Sequence, residues 1–236
     1  LPLKIKFVVE GEEEIGSPHL AAFAEANKDL LKADGCLWES GYKDINGRVL
    51  LTFGLKGICY LELHAHGAKR DMHSAYATIV PNPAWRLVWA LSTLKTPDDR
   101  ITVDGLMDHV RQPTAKERAL LKAIPFDEEK YKANIGIKSF IRNLTGYKLQ
   151  KKHLYEPTCT ICGMLSGYTG PGSKTVLPNS AMVKLDFRLV ENLTPELVID
   201  LLRKHLDRRG FTDIEIKQSD GEHPALSPVD GPLAKA

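Results

Sequence analysis

The chain has 236 residues, 43% hydrophobic and 26% charged, with 32 Lys+Arg against 30 Asp+Glu. These fractions suit one large or two modest globular domains and exclude a disordered tail or a collagen-like fibre. The net charge of +2 gives no reason to expect nucleic acid or an acidic membrane as partner, and no apolar run is long enough to span a bilayer.

In chain order, residues 4–9 (KIKFVV) read as a short strand. The acidic loop EGEEEIGS follows. Ser17-Pro18 then predicts a helix with Ser as N-cap and Leu20, Phe23, Ala24, Leu30 and Leu31 as its buried stripe, stopped by Asp34-Gly35. Residues 36–39 read as a strand, Asn46-Gly47 as a hairpin turn, and 48–53 and 57–66 as two further strands. Pro81-Asn82-Pro83 opens a helix over 84–95, and 104–145 read as short helices of mixed charge. Strands follow at 155–165 and at 181–190, the latter with Val183, Leu185, Phe187 and Leu189 on one face. A helix over 195–208 starts at Thr194-Pro195 and ends at Arg209-Gly210, and a last strand covers 212–218. From residue 57 onward this order is β-α-β-β-α-β, the ferredoxin-like arrangement, and the residues before it read as part of a layered α/β domain.

Chemistry could sit in two clusters. Glu10, Glu12, Glu13 and Glu14 crowd the corner between the first strand and first helix. One carboxylate of such a pair can hold a metal while its neighbour acts as general base. A solvated acidic loop at a helix start is equally open on composition. Glu39, ending the next strand, could add an oxygen ligand. Asp71 and His73 form the second cluster, where His73 is either a core or surface histidine or a donor to a developing oxyanion.

Other motifs read as structural. Cys159 and Cys162 have C-x-x-C spacing, but Cys36 and Cys59 stand 23 positions apart and complete no zinc set. The sparse cysteines and the lack of an export signal fit a reducing, cytoplasmic setting. His64-Ala65-His66 lacks a third ligand nearby. Gly167–Thr175 has Ser173 where a phosphate loop needs Lys, so it reads as a glycine-rich turn. Lys151-Lys152-His153 reads as a solvated basic face.

Five segments together carry a family resemblance. Glu10–Ser17 resembles the EG-x-EE-x-GS segment of the two-zinc M20 metallopeptidases, the family of aminoacylases, carboxypeptidase G and carnosine dipeptidase. Phe53–Gly57 resembles the GL[RK]G approach to that family's lid, and Asp71–Ser74 its D-x-HS motif. Gly172–Pro178 and Asp186–Val190 resemble two later lid segments, and the pattern is nearest the dipeptidase branch.

The resemblance implies a partial catalytic domain over 1–54, a lid and dimerisation domain over 55–220, and a return to the catalytic domain over 221–236. It implies Glu13 as general base, Glu14 and Glu39 as metal ligands, and two zinc ions per active site, with manganese or cobalt as substitutes. It implies that His73 reaches the partner subunit's site in a homodimer and polarises the scissile carbonyl. Arg188 would grip the substrate carboxylate, with Thr175 as a substrate-contacting neighbour. The substrate would be a small peptide, or an N-acyl amino acid in a deacylase of the same family. A non-catalytic dimerisation module is the rival from another class.

Two departures stand out. Ala75, Ala77 and Thr78 occupy a stretch where the family has glycines, so the loop carrying His73 is expected to differ in shape. The family's His-x-Asp motif and its last zinc histidine are both absent from this chain. The expectation is an internal fragment that alone neither holds zinc tightly nor cleaves peptides.

Overall fold

The computed structural model describes residues 3–38, 42–44 and 46–235, which fall into two compact units. The smaller is built from residues 1–50 with 235–236, and the larger from 51–234.

In the smaller unit, helices α1 (Leu20–Ala26) and α2 (Lys28–Leu31) are short. Strands β1 (Tyr42–Lys43) and β2 (Val49–Leu50) pair antiparallel, with Gly47 at φ 79°, so the expected Asn46-Gly47 hairpin is present. Three expectations need correcting. Residues 4–9 and 36–38 form no strand, because a strand needs a ladder and no described residue supplies one there. Ser17 is not an N-cap: it sits at φ 47°, and α1 follows His19 without a side-chain cap. The apolar stripe is not buried, Phe23 being 45% and Leu30 64% exposed, because no described element packs on it.

The larger unit follows the predicted order closely. Strands β3 (Gly54–Leu55) and β10 (Ala225–Leu226) pair antiparallel where the chain enters and leaves it. Between them run β4 (Gly57–His66), β5 (Met72–His73), α3 (Pro83–Leu91), α4 (Ala115–Ala123), α5 (Glu128–Ile135) and α6 (Gly146–Tyr155). Then come β6 (Thr160–Ser166), β7 (Val176–Leu177), β8 (Ser180–Leu189), α7 (Pro195–Arg208) and β9 (Glu215–Glu222). The main sheet has order β6-β8-β4-β9, all antiparallel. Two central strands flanked by the second and fourth in sequence give the ferredoxin-like arrangement.

Alternation explains the layer. Cys59, Leu61 and Leu63 of β4 and Val183, Leu185, Phe187 and Leu189 of β8 are fully buried. They pack with Leu87 and Ala90 of α3 and Val198, Leu202 and Leu206 of α7 in one core. Both helices start as the sequence dictates. Asn82 Oδ1 accepts the Ala84 N–H at 2.8 Å, Thr194 Oγ1 accepts the Leu197 N–H at 3.2 Å, and a proline opens each first turn.

Helix α3 ends at Leu91 rather than at 95. The Ser92 and Thr93 hydroxyls donate back to the Trp89 and Ala90 carbonyls at 2.7 Å and compete with the ladder. Residues 146–155 are a helix, so the strand expected from 155 begins only at Thr160. Lys152 on that helix is ion-paired with Glu156 at 3.1 Å and is no solvated patch. Strand β9 runs on to Glu222, four residues beyond the expected end at 218.

A buried histidine makes the larger unit pH-sensitive. His205 is fully buried; its Nδ1 accepts the Asp104 N–H at 3.0 Å and its Nε2 donates to Thr93 Oγ1 at 3.0 Å. Burial, helped by the Arg209 guanidinium and opposed by the Asp104 carboxylate, holds the ring's pKa below its ordinary value. Between that lowered value and the unfolded one the unfolded chain binds more protons. The histidine's contribution to the melting temperature is expected to hold level above about pH 6.5 and to fall as pH drops below it. In His205→Gln that part of the melting curve should flatten; a wild-type curve level down to about pH 5 would contradict the assignment.

Candidate functional site

Glu13 begins a 3-10 turn over Glu13–Ile15, closed by Gly16 in the left-handed region at φ 83°. The turn is backbone-made: Gly16 N–H donates to Glu13 O and Ser17 N–H to Glu12 O, both at 2.9 Å. The four carboxylates divide into two pairs. Glu10 Oε1 accepts the Ser17 hydroxyl at 2.6 Å, and Glu12 Oε2 lies 2.8 Å from His19 Nδ1. Glu13 and Glu14 are exposed, and neither side chain has a partner among the described residues. Glu39 lies outside the described residues.

His73 and Thr175, 102 residues apart in sequence, are brought together. Strand β5 pairs antiparallel with β7 in the register His73↔Val176, and Ser74 N–H donates to Thr175 O at 3.1 Å. His73 Nδ1 accepts the Ala75 N–H at 3.2 Å, which leaves the neutral ring's proton on Nε2. Nε2 faces Thr175 Oγ1 at 3.3 Å and is solvent-accessible. The corner thus presents an N–H donor of fixed tautomer, the form a developing oxyanion needs. Asp71 plays a structural part instead. Its Oδ1 accepts the Asn179 N–H at 2.9 Å and ties the corner to the start of β8.

Arg188 is not part of this corner. It lies near the far end of β8 from Ser180, about 26 Å away at the usual strand rise. Its backbone is pinned from both sides by Thr158, whose Oγ1 accepts the Arg188 N–H at 2.9 Å and whose N–H donates to Arg188 O at 3.1 Å. Its Nε lies 3.2 Å from Asp186 Oδ2. Sequence reading gives Asp186 no role beyond its lid segment and passes over Thr158. For Asp186 the available signal was its i, i+2 spacing from Arg188, which puts both on one strand face.

A cavity of about 240 Å³ elsewhere in the larger unit is lined by Phe53, Leu55, Lys56, Leu121, Tyr155 and Leu226, among others, and holds none of the predicted site residues. Burial brings the Lys56 ammonium down to about 8.

Among the described residues, no three His, Cys, Asp or Glu side chains stand together to hold a metal ion. His64 Nε2 lies 2.8 Å from Glu62 Oε2 and His66 Nε2 3.6 Å from Glu215 Oε2, so each imidazole is turned to a different carboxylate. The donors described do not fit a two-zinc centre. All four cysteines are free, Cys59 and Cys159 buried and Cys36 and Cys162 exposed.

The model of the M20 Peptidase dimerisation domain matches residues 53–213, which hold the ferredoxin-like layer apart from β9. The chain belongs to the M20 peptidase family. The Cys-Gly metallodipeptidase dug1 of Schizosaccharomyces pombe is 32% identical over 88% of this chain and 44% of that protein. The structure of the M20 family metallo-carboxypeptidase Sso-CP2 from Sulfolobus solfataricus superposes with a TM-score of 0.88 at 40% identity, covering 96% of this chain and 51% of that one. Human carnosine dipeptidase 1 gives 0.76 at 27% identity, with 94% and 48% covered. This M20 chain spans about half the length of the relatives it matches. Among its described residues no helix is long and apolar enough to cross a membrane.

Proposed function

We propose that this M20 chain supplies the lid and part of the catalytic domain of a metal-dependent dipeptidase that works as a homodimer through its lid. The observation that carries the reading is the separation along β8. His73 with Thr175 stands at one end and Arg188 at the other, too far apart for one chain to offer all three to one dipeptide. Two copies can do so if His73 and Thr175 of one serve the site that contains Arg188 of the other. Following the His73 corner in sequence, α3 exposes Trp85 and Trp89 as a stacked pair, 56% and 55% exposed, the kind of apolar surface an interface covers.

In this reading Glu13 takes a proton from the attacking water and returns it to the leaving amine. His73 Nε2 donates to the carbonyl oxygen as charge develops there. Arg188 binds the substrate carboxylate with its planar fork, and Thr175 lies against the substrate. Glu14 and Glu39 are assigned to the metal, zinc being the ion the resemblance implies. The names of two relatives, both dipeptidases, favour a dipeptide over an N-acyl amino acid. The free thiols support a reducing, cytoplasmic setting.

Complementation tests the shared site. In the full-length protein, His73→Ala and Arg188→Ala are each expected to lose most activity. Mixed and allowed to exchange subunits, the two variants are expected to regain about a quarter of wild-type activity, since half the dimers then hold one intact site. No recovery, with subunit exchange shown independently, counts against the reading.

A further inference from the structure

Asp186 occupies a costly place for a carboxylate. It lies on the outer row of β8 with Lys184 and Arg188, yet it is only 9% exposed. Among the described residues its Oδ1 has no hydrogen-bond partner. Lys184, the other cation of the row, is turned to Glu62 at 3.1 Å. A buried charge with one oxygen unused weakens a fold unless something else requires it.

What the carboxylate does accomplish is local. Its Oδ2 stands 3.2 Å from Nε, on the stem edge of the Arg188 guanidinium, as an ion pair. Thr158 fixes the Arg188 backbone through both its N–H and its carbonyl. The stem and main chain are therefore held, while the two terminal nitrogens have no partner among the described residues and the side chain stays 50% exposed. That is a guanidinium oriented from behind with its fork left open. A planar fork binds a carboxylate in two parallel hydrogen bonds only when its plane is set in advance.

We propose that Asp186 is a positioning residue for substrate binding, holding Arg188 by Nε so that its terminal fork meets the substrate carboxylate. The inference rests on the reading of Arg188 as the carboxylate grip. A double-mutant cycle in the full-length protein separates the two. Steady-state kinetics on a dipeptide are measured for wild type, Asp186→Asn, Asp186→Glu, Arg188→Lys and the Asn/Lys pair.

Arg188→Lys reports on the underlying reading: unless it raises KM, Arg188 is no carboxylate grip, whatever Asp186 does. Given that rise, Asp186→Asn is expected to raise KM about tenfold with most of the loss in KM rather than kcat, and Asp186→Glu to recover most of it. With Lys already at 188, Asp186→Asn should add nothing. The melting temperature of Asp186→Asn should be no lower than that of wild type. A wild-type KM in Asp186→Asn, additive effects in the cycle, or a lower melting temperature with kcat and KM both damaged would overturn the proposal.

Discussion

Replacing Glu13 with Gln in the full-length protein is expected to lower kcat by about a thousandfold and leave the melting temperature unchanged. The second half follows from the turn. Its hydrogen bonds run between backbone groups, Gly16 to Glu13 and Ser17 to Glu12, so the Glu13 side chain holds nothing in place. Glutamine keeps the shape of the side chain but cannot accept a proton. The neighbouring carboxylates serve as controls because each already has a partner, Glu10 with the Ser17 hydroxyl and Glu12 with His19. Glu12→Gln should cost a little stability and little rate. If the acidic loop merely solvated the start of a helix, the Gln variants at 10, 12 and 13 would all turn over undiminished. That pattern would overturn Glu13 as the general base, whereas the rival, a non-catalytic dimerisation module, predicts no turnover in the wild type either.

What could be read in the sequence depends on how local its cause was. Strands β4 and β8 bury alternate residues, so period two gave both their extent and the face that packs on α3 and α7. Helix α7 carries its own start signal in Thr194-Pro195 and was placed to the residue. Helix α6 carries none, since Thr145 makes no side-chain cap, and its basic stretch has the composition of a surface loop. In the smaller unit the apolar runs were visible, but strands and buried stripes are made by neighbours, and the described residues provide none for residues 4–9, 36–38 or the α1 stripe.

The site shows the same division. His73 was legible as a corner residue. Its meeting with Thr175 across 102 residues depends on the β5–β7 pairing, which no spacing reveals. The resemblance alone singles out Arg188, while its distance from His73 emerges only once β8 is laid out end to end. The carboxylate at 186 looked like any outward strand residue until its burial and its empty oxygen were visible.

Gly57→Ala is expected to destabilise the larger unit by about 3 kcal/mol or more. Gly57 begins β4 where β9 and the segment toward β10 cross it closely. An added Cβ there would stand 2.3 Å from Glu222 O, 2.6 Å from Pro224 N and 2.7 Å from His223 C. All three are backbone atoms, so no side chain can rotate away, and the main chain at the end of the β4–β9 ladder must move. The neighbouring pairs Ile58↔Glu222 and Cys59↔Gly221 would be the first lost. A cost of that size lowers the melting temperature by roughly 10 °C in a unit of this length. Gly163→Ala, in β6 of the same sheet, is the matched control: its nearest neighbour would be Lys184 Cδ at 4.0 Å, an ordinary contact. Its melting temperature should stay within about 2 °C of wild type. Equal melting of the two variants would show that the crossing yields more easily than its backbone atoms suggest. A selective loss at Gly57 would instead explain the last glycine of the GL[RK]G segment: it leaves room for the departing chain where β4 begins.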